Sequence, residues 1–205
     1  MVRKRPQAAR GVRPPSPAQD GRHRRAEQSR QRIVEAMLKL VGRGDMNPSP
    51  AEVAAEAGVG LRTVFRHFED VDTLYREMAA HIDAEIMPLA RAPLVAPDWR
   101  DNLMEMVKRR VVIFERIMPY RVAGAVRRFH SPYLMADFIR AARLEDEALK
   151  SVLPRDVLRD AKLVAALAVA MSFESWRRLR QDQGLSAKQA AAAIRFATER
   201  HIKGL

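Results

Sequence analysis

The chain has 205 residues, is 47% hydrophobic and 30% charged, and carries a net charge of +12 at neutral pH. That length suffices for one or two domains with a sizeable buried core. The lack of cysteine excludes disulfides, thiolate metal sites and cysteine nucleophiles, and fits a reducing cytoplasm.

The charge is unevenly placed. Residues 1–25 hold eight basic side chains against Asp20 alone, a net +7, whereas residues 26–70 are at −1 and residues 71–205 at +6. With Pro6, Pro14, Pro15 and Pro17 and almost no large apolar side chain, residues 1–25 are expected to form a disordered basic arm. No apolar h-region follows it, which argues against a signal peptide. The longest apolar run, Leu163 to Met171, is about half of the roughly 18 residues a membrane span needs.

From about residue 27 the apolar pattern is helical, and nowhere does it alternate as in a strand. Ile33, Ala36, Met37, Leu40 and Val41 share one face of a first helix ended by Gly42 and Gly44. Ser49 as cap, Pro50 in the first helical position and Glu52 three residues on predict a helix from Pro50 to about Ala57. Gly58-Val59-Gly60 stops it, and a short helix follows from Leu61 to about Phe68. A fourth runs from about Asp70 to Met87, closed by Pro88, Pro93 and Pro97. The next opens at Asp98 and Asp101 and buries Trp99, Leu103, Met106, Val107, Val111, Phe114 and Ile117. Pro119 is expected to open a short helix to Phe129, and Ser131-Pro132 one to about Ser151. Pro154 should start a long helix to about Gln183, and Ser186 with Gln189 a last one to about Lys203. The sum is an all-α chain of nine helices. Its expected divisions are a basic arm at 1–25, a small N-terminal helical domain at 26–72 and a larger bundle at 73–205.

The pair of helices over 50–68 reads as a helix-turn-helix. In that motif the second helix enters the major groove while the first crosses the backbone. Val53, Ala54, Ala57, Val59, Val64 and Phe68 would hold the pair together, leaving Arg62, Thr63, Arg66 and His67 outward. Arginine can bond guanine or phosphate, and threonine can reach phosphate or a thymine methyl.

The stretch Glu52-Val53-Ala54-Ala55-Glu56-Ala57-Gly58-Val59-Gly60, then Thr63-Val64-Phe65-Arg66-His67-Phe68 and Asp72-Thr73-Leu74-Tyr75, closely resembles the signature of the TetR family of transcriptional regulators. The resemblance is specific over residues 28–78. Beyond them it rests on helix number, length and Ser172-Phe173-Glu174-Ser175-Trp176. It implies a bacterial, cytoplasmic, sequence-specific DNA-binding regulator, a homodimeric and ligand-responsive repressor acting on a pseudo-palindromic operator. Two residues depart from the family pattern. Phe65 stands where a phosphate-bonding tyrosine is common, and Val71 where a lysine grips the backbone. Arg24, Arg25 and Ser49 join Arg62, Thr63, Arg66 and His67 as expected DNA contacts. The +7 arm is expected to supply much of the grip through counterion release.

The resemblance further implies a ligand pocket among the middle helices and a dimer built by the last two. Pocket candidates are Met78, Ile82, Trp99, Leu103, Met106, Val107, Val111, Phe114, Phe129, Tyr133, Phe138 and Leu149, which suit a mostly apolar effector. Arg110, His130 and Arg140 could add a polar contact, yet solvated surface is the expectation for each, as it is for Glu145-Asp146-Glu147. A small-residue stripe of Ala161, Ala165, Ala168, Ser172 and Ser175, with Trp176, Ile194 and Ala197, suits a four-helix seam between two copies.

No phosphate-binding loop, dinucleotide fingerprint, nucleophile elbow or zinc-protease motif occurs, and the five histidines have no metal-ligand spacing. No enzyme activity, metal or cofactor is therefore expected. Two alternatives stay open: a ligand-free architectural DNA-binding protein, and a helical lipid or acyl-ligand carrier.

Overall fold

A computed structural model describes the backbone of residues 17–205 and the side chains from Arg24 onward. Among the described residues there is no strand, and ten α-helices follow one another: α1 Pro17–Gly42, α2 Pro50–Ala57, α3 Leu61–His67, α4 Val71–Ala90, α5 Trp99–Arg127, α6 Pro132–Val152, α7 Arg155–Arg159, α8 Ala161–Ala170, α9 Phe173–Arg177 and α10 Ala187–Ile202. A single 3₁₀ turn at Arg128–His130 follows α5, and a π turn at Arg178–Asp182 follows α9. None of the helices is long and apolar enough to cross a membrane.

The local signals that end helices behave as the chemistry requires. Ser49 and Ser186 each complete a capping box, with Glu52 and Gln189. Asp70, Asp98 and Ser131 accept backbone N–H groups at the starts of α4, α5 and α6.

Four boundaries differ from the sequence expectation. First, α1 begins at Pro17, so residues 17–25 are helical where a disordered arm is expected; Ala18, Gln19, Arg22, Arg24 and Arg25 are good helix formers, and proline suits a first helical turn. The rest of the expected arm, residues 1–16, lies outside the described residues. Second, Pro88 sits inside the last turn of α4 rather than beyond it. Third, α5 runs straight through Pro119 as one 29-residue helix. An internal proline costs about 3 kcal/mol, but Phe114 and Ile117 before it and Ala123 after it are all buried and hold the helix on course.

The fourth difference is the expected long helix over 154–183, which is broken twice. The Asp160 carboxylate accepts from the backbone of Lys162 and Leu163 at 3.1 and 3.0 Å and restarts the chain as α8. Ser172 adopts extended backbone and caps α9 through Ser175. The groups freed at this second break are met by buried charges from neighbouring helices. Arg110 of α5 donates to the Met171 carbonyl at 2.9 Å, and the Phe173 N–H donates to Glu145 of α6 at 3.0 Å.

Two cores result. The first joins Ile33, Met37 and Val41 of α1 to Val53 and Ala57 of α2, Val64 of α3, Phe68, and Leu74, Tyr75 and Met78 of α4. It also takes in Ala123 of α5 and Leu134 of α6, so it draws on residues well beyond position 72. The second gathers Leu103, Leu149, Leu167, Met171, Trp176 and Ile194 from α5, α6 and the C-terminal helices. Ile82 of α4 packs against both.

Candidate nucleic-acid interface and internal cavity

The Ser49 backbone N–H donates to Glu52 Oε2 at 2.8 Å, and its hydroxyl donates to the same oxygen at 2.6 Å. Glu52 in turn donates its own N–H to Ser49 Oγ at 3.3 Å. These bonds hold the Glu52 carboxyl below its ordinary range. The turn after α2 needs a left-handed residue, and Gly58 supplies it with φ 62°. Its N–H reaches the Ala55 carbonyl at 3.2 Å, while that of Val59 reaches Ala54 at 3.0 Å. This closure sends α3 off across α2.

On α3, Val64 is buried within the helical pair and Phe68 just beyond it, while Arg62 and Arg66 are exposed. Thr63 and His67 are only half-exposed. The expectation that His67 points outward is corrected: its Nε2 is shielded and has no partner. Burial first, then the charges of Arg66 and Arg30, lower its affinity for a proton. The Ser49 hydroxyl is committed to Glu52, and Arg24 and Arg25 lie exposed on α1.

Two apolar residues join the outward set that sequence reasoning missed. Leu61 and Phe65, four apart on α3, are 45% and 56% exposed. Phe65 falls to the side of the face set by Val64 and Phe68, but Leu61 shares that face by helical spacing, so only the completed packing shows it exposed.

Arg30 of α1 clasps the far end of α3. Its Nη1 donates to the His67 carbonyl at 2.9 Å, its Nε to Glu77 Oε1 at 2.6 Å, and its guanidinium lies 4.7 Å from the Phe68 ring centre. A second tie crosses from the end of α5, where Arg127 donates to the Asn47 side chain ahead of α2.

A cavity of about 250 Å³ lies between α4, α5 and α6. This is slightly below the roughly 300–1,000 Å³ common for ligand pockets. Met78, Ile82, Met106, Phe114, Tyr133 and Phe138 line it. The other pocket candidates do not. Leu103, Val107 and Leu149 are core residues, and Trp99 packs at the edge of that core beneath Arg100. Val107 and Val111 also border a separate open cleft between α5 and α10. Phe129, at the 3₁₀ turn, is 70% exposed. Each of these shares a helix with lining residues but falls on another face.

The cavity wall carries charges that the sequence reading assigned to the surface. Arg110 is buried and donates to the carbonyls of Met171 and Glu145. Glu145 is also largely buried, which pushes its carboxyl up despite the Phe173 N–H and the nearby arginines. Arg140 also borders the cavity but is exposed, as expected, and pairs with Asp137 at 2.7 Å and Asp83 at 3.4 Å. His130 is exposed.

The expected dimer residues separate. Trp176 and Ile194 are 0% and 4% exposed within this chain and belong to its own core, so they are not available to a second copy. They fall on the inward faces of α9 and α10. Ser172 and Ser175 are half-buried, and both donate their hydroxyls to the Val169 carbonyl at the helix break. Ala168 and Ala197 are half-buried as well. Ala161 and Ala165 are exposed, on the α8 face that continues to Val169, itself 67% exposed.

No family model and no curated protein matches the chain. Among solved structures, a transcriptional regulator from Rhodococcus sp. Rha1 superposes with a TM-score of 0.65 at 17% sequence identity, covering 85% of this chain and 96% of that one. At that identity the likeness is one of fold: the chain shares the all-helical architecture of that protein.

Proposed function

We propose that the protein is a TetR-like, sequence-specific DNA-binding regulator that acts as a homodimeric repressor released by a small effector. The observation that carries this reading is α3 itself. The Gly58 turn and the Arg30 clasp fix the helix, and it presents Arg62 and Arg66 outward beside Leu61 and Phe65. Two arginines four apart can reach base edges or phosphates along one groove, and Leu61 suits a thymine methyl group while Phe65 lies beside the phosphate path.

Two such helices one DNA turn apart would read a pseudo-palindrome, which requires a dimer. The apolar flank of α8 from Ala161 through Ala165 to Val169, with exposed Phe196 on α10, supports a second copy docking there. An occupant of the cavity would bear directly on α4, which leads back to α3. A ligand that favours one spacing of the two reading helices shifts the DNA-bound population.

The test is selection of bound fragments from genomic DNA, followed by affinity measurement at fixed salt. The expected outcome is a pseudo-palindromic site bound about 10³-fold or more tighter than random duplex. Equal affinity for all duplexes would instead make the protein an architectural binder, and no retention at low salt would leave a ligand carrier.

A further inference from the structure

Five arginines line the cavity between α4, α5 and α6, and three of them are already spent. Arg109 donates to the carbonyls of Ala92 and Pro93, Arg110 to those of Met171 and Glu145, and Arg140 is paired with Asp137 and Asp83. Arg121 and Arg128 are different. The Arg121 side chain is 15% exposed, yet its nearest carboxylate oxygen, on Glu145, is 3.7 Å away, and it makes no hydrogen bond among the described residues. The other Glu145 oxygen is taken by the Phe173 N–H. Arg128 has a buried Nε without a partner. Both guanidiniums face the Phe138 ring, at 5.5 and 3.8 Å from its centre, and Arg121 also stacks on Phe173 at 4.5 Å.

The two cations share one aromatic ring and repel each other, and with Glu145 no nearer than 3.7 Å and the Arg128 Nε without a partner, an anion placed between them would relieve that repulsion and take up donors. Burial disfavours the charged form of Arg121, the carboxylates of Glu145, Glu174 and Asp137 favour it, and Arg128 opposes them as the smallest effect; a guanidinium keeps its proton at neutral pH. The opposite wall, from Met78 and Ile82 to Ile113, Phe114 and Ile117, is apolar.

We propose that this cavity binds a small organic anion, its carboxylate held by Arg121 and Arg128 against Phe138 and its apolar body against α4. The inference rests on the effector-sensing part of the function proposed above and replaces a mostly apolar effector by an amphipathic acid. Arginine's planar fork matches a carboxylate with two parallel bonds. At about 30 Å³ per water-sized group, the space admits roughly eight non-hydrogen atoms, about the size of a single-ring or short-chain acid.

The test is calorimetric titration of the full chain with benzoate and hexanoate, each set against its neutral amide. At least one acid is expected to bind, its amide about tenfold or more weaker, and R121Q and R128Q each about tenfold weaker for the acid. Should R121Q fail to fold, as judged by melting, R128Q and the acid–amide comparison in the unaltered chain decide. Equal binding of acid and amide, or no binding of either acid at millimolar concentration, overturns the proposal. Operator binding by the same preparation separates the two readings: retained DNA binding without acid binding removes this inference alone, whereas lost DNA specificity removes the regulator itself.

Discussion

Arg30 and Glu77, 47 residues apart in sequence, meet through the Arg30 Nε at 2.6 Å while the same guanidinium holds the carbonyl that ends α3. The pair therefore fixes the reading helix relative to α4, the helix that also walls the cavity. Replacing Glu77 by Gln keeps the shape and removes the charge that orients Arg30. Because both side chains are part-exposed, the stability cost should be at most about 1 kcal/mol, whereas operator affinity should fall severalfold. Chemical denaturation and DNA titration on the same sample check both halves; unchanged DNA affinity would show that Arg30 does not orient α3.

Phe65 offers the converse experiment. It is exposed on α3 with no hydroxyl to give, so Phe65→Tyr adds one donor at the place where a phosphate would run. DNA affinity should rise by a few-fold with little change in site preference, because a phosphate bond is worth on the order of 1 kcal/mol and carries no base information. A loss of affinity would place the ring against bases instead.

Trp176→Ala probes what the C-terminal helices bury. The indole is 0% exposed inside one chain, so its loss should cost about 3–5 kcal/mol. That cost should be equally large in samples diluted until any dimer dissociates. Denaturation midpoints at several protein concentrations measure it, and a cost present only in the concentrated sample would return Trp176 to an interface.

The Glu115–Arg180 pair links α5 to the π turn through bonds of 3.0 and 2.7 Å, and these hold the Glu115 carboxyl below its ordinary range. A carboxylate whose folded pKa is depressed stabilises the protein above its unfolded value near 4.3 and loses that contribution as pH falls through the folded one. Glu115→Gln should thus destabilise by about 0.5–1 kcal/mol at neutral pH, and the gap to the unaltered chain should close below about pH 4. A gap independent of pH would mean that packing, not charge, is lost.

The reading of the sequence succeeded where the determining chemistry is local. Ser49, Glu52 and Gly58 write the entry, exit and turn of α2 within ten residues, and the spacing of Val64 and Phe68 orients α3. It failed where a residue's fate depends on a distant partner. Arg110, inside the run Lys108-Arg109-Arg110, looks like surface until the helix breaks at Met171, 61 residues on, and leaves a carbonyl for it to meet. Glu145 is pulled inward by the other side of the same break. Pro119 is a helix breaker by propensity and is overridden by buried neighbours on both sides. Trp176 and Ile194 carry the right composition for a seam, and only the completed packing assigns them inward.

The two cores have a joint owner in Ile82, and the N-terminal one borrows Ala123 and Leu134 from the bundle. Neither can melt while the other keeps its packing intact. The N-terminal helices should accordingly not unfold as an independent module: heat or denaturant should take the whole chain through a single cooperative transition, with helical signal and Trp fluorescence changing together.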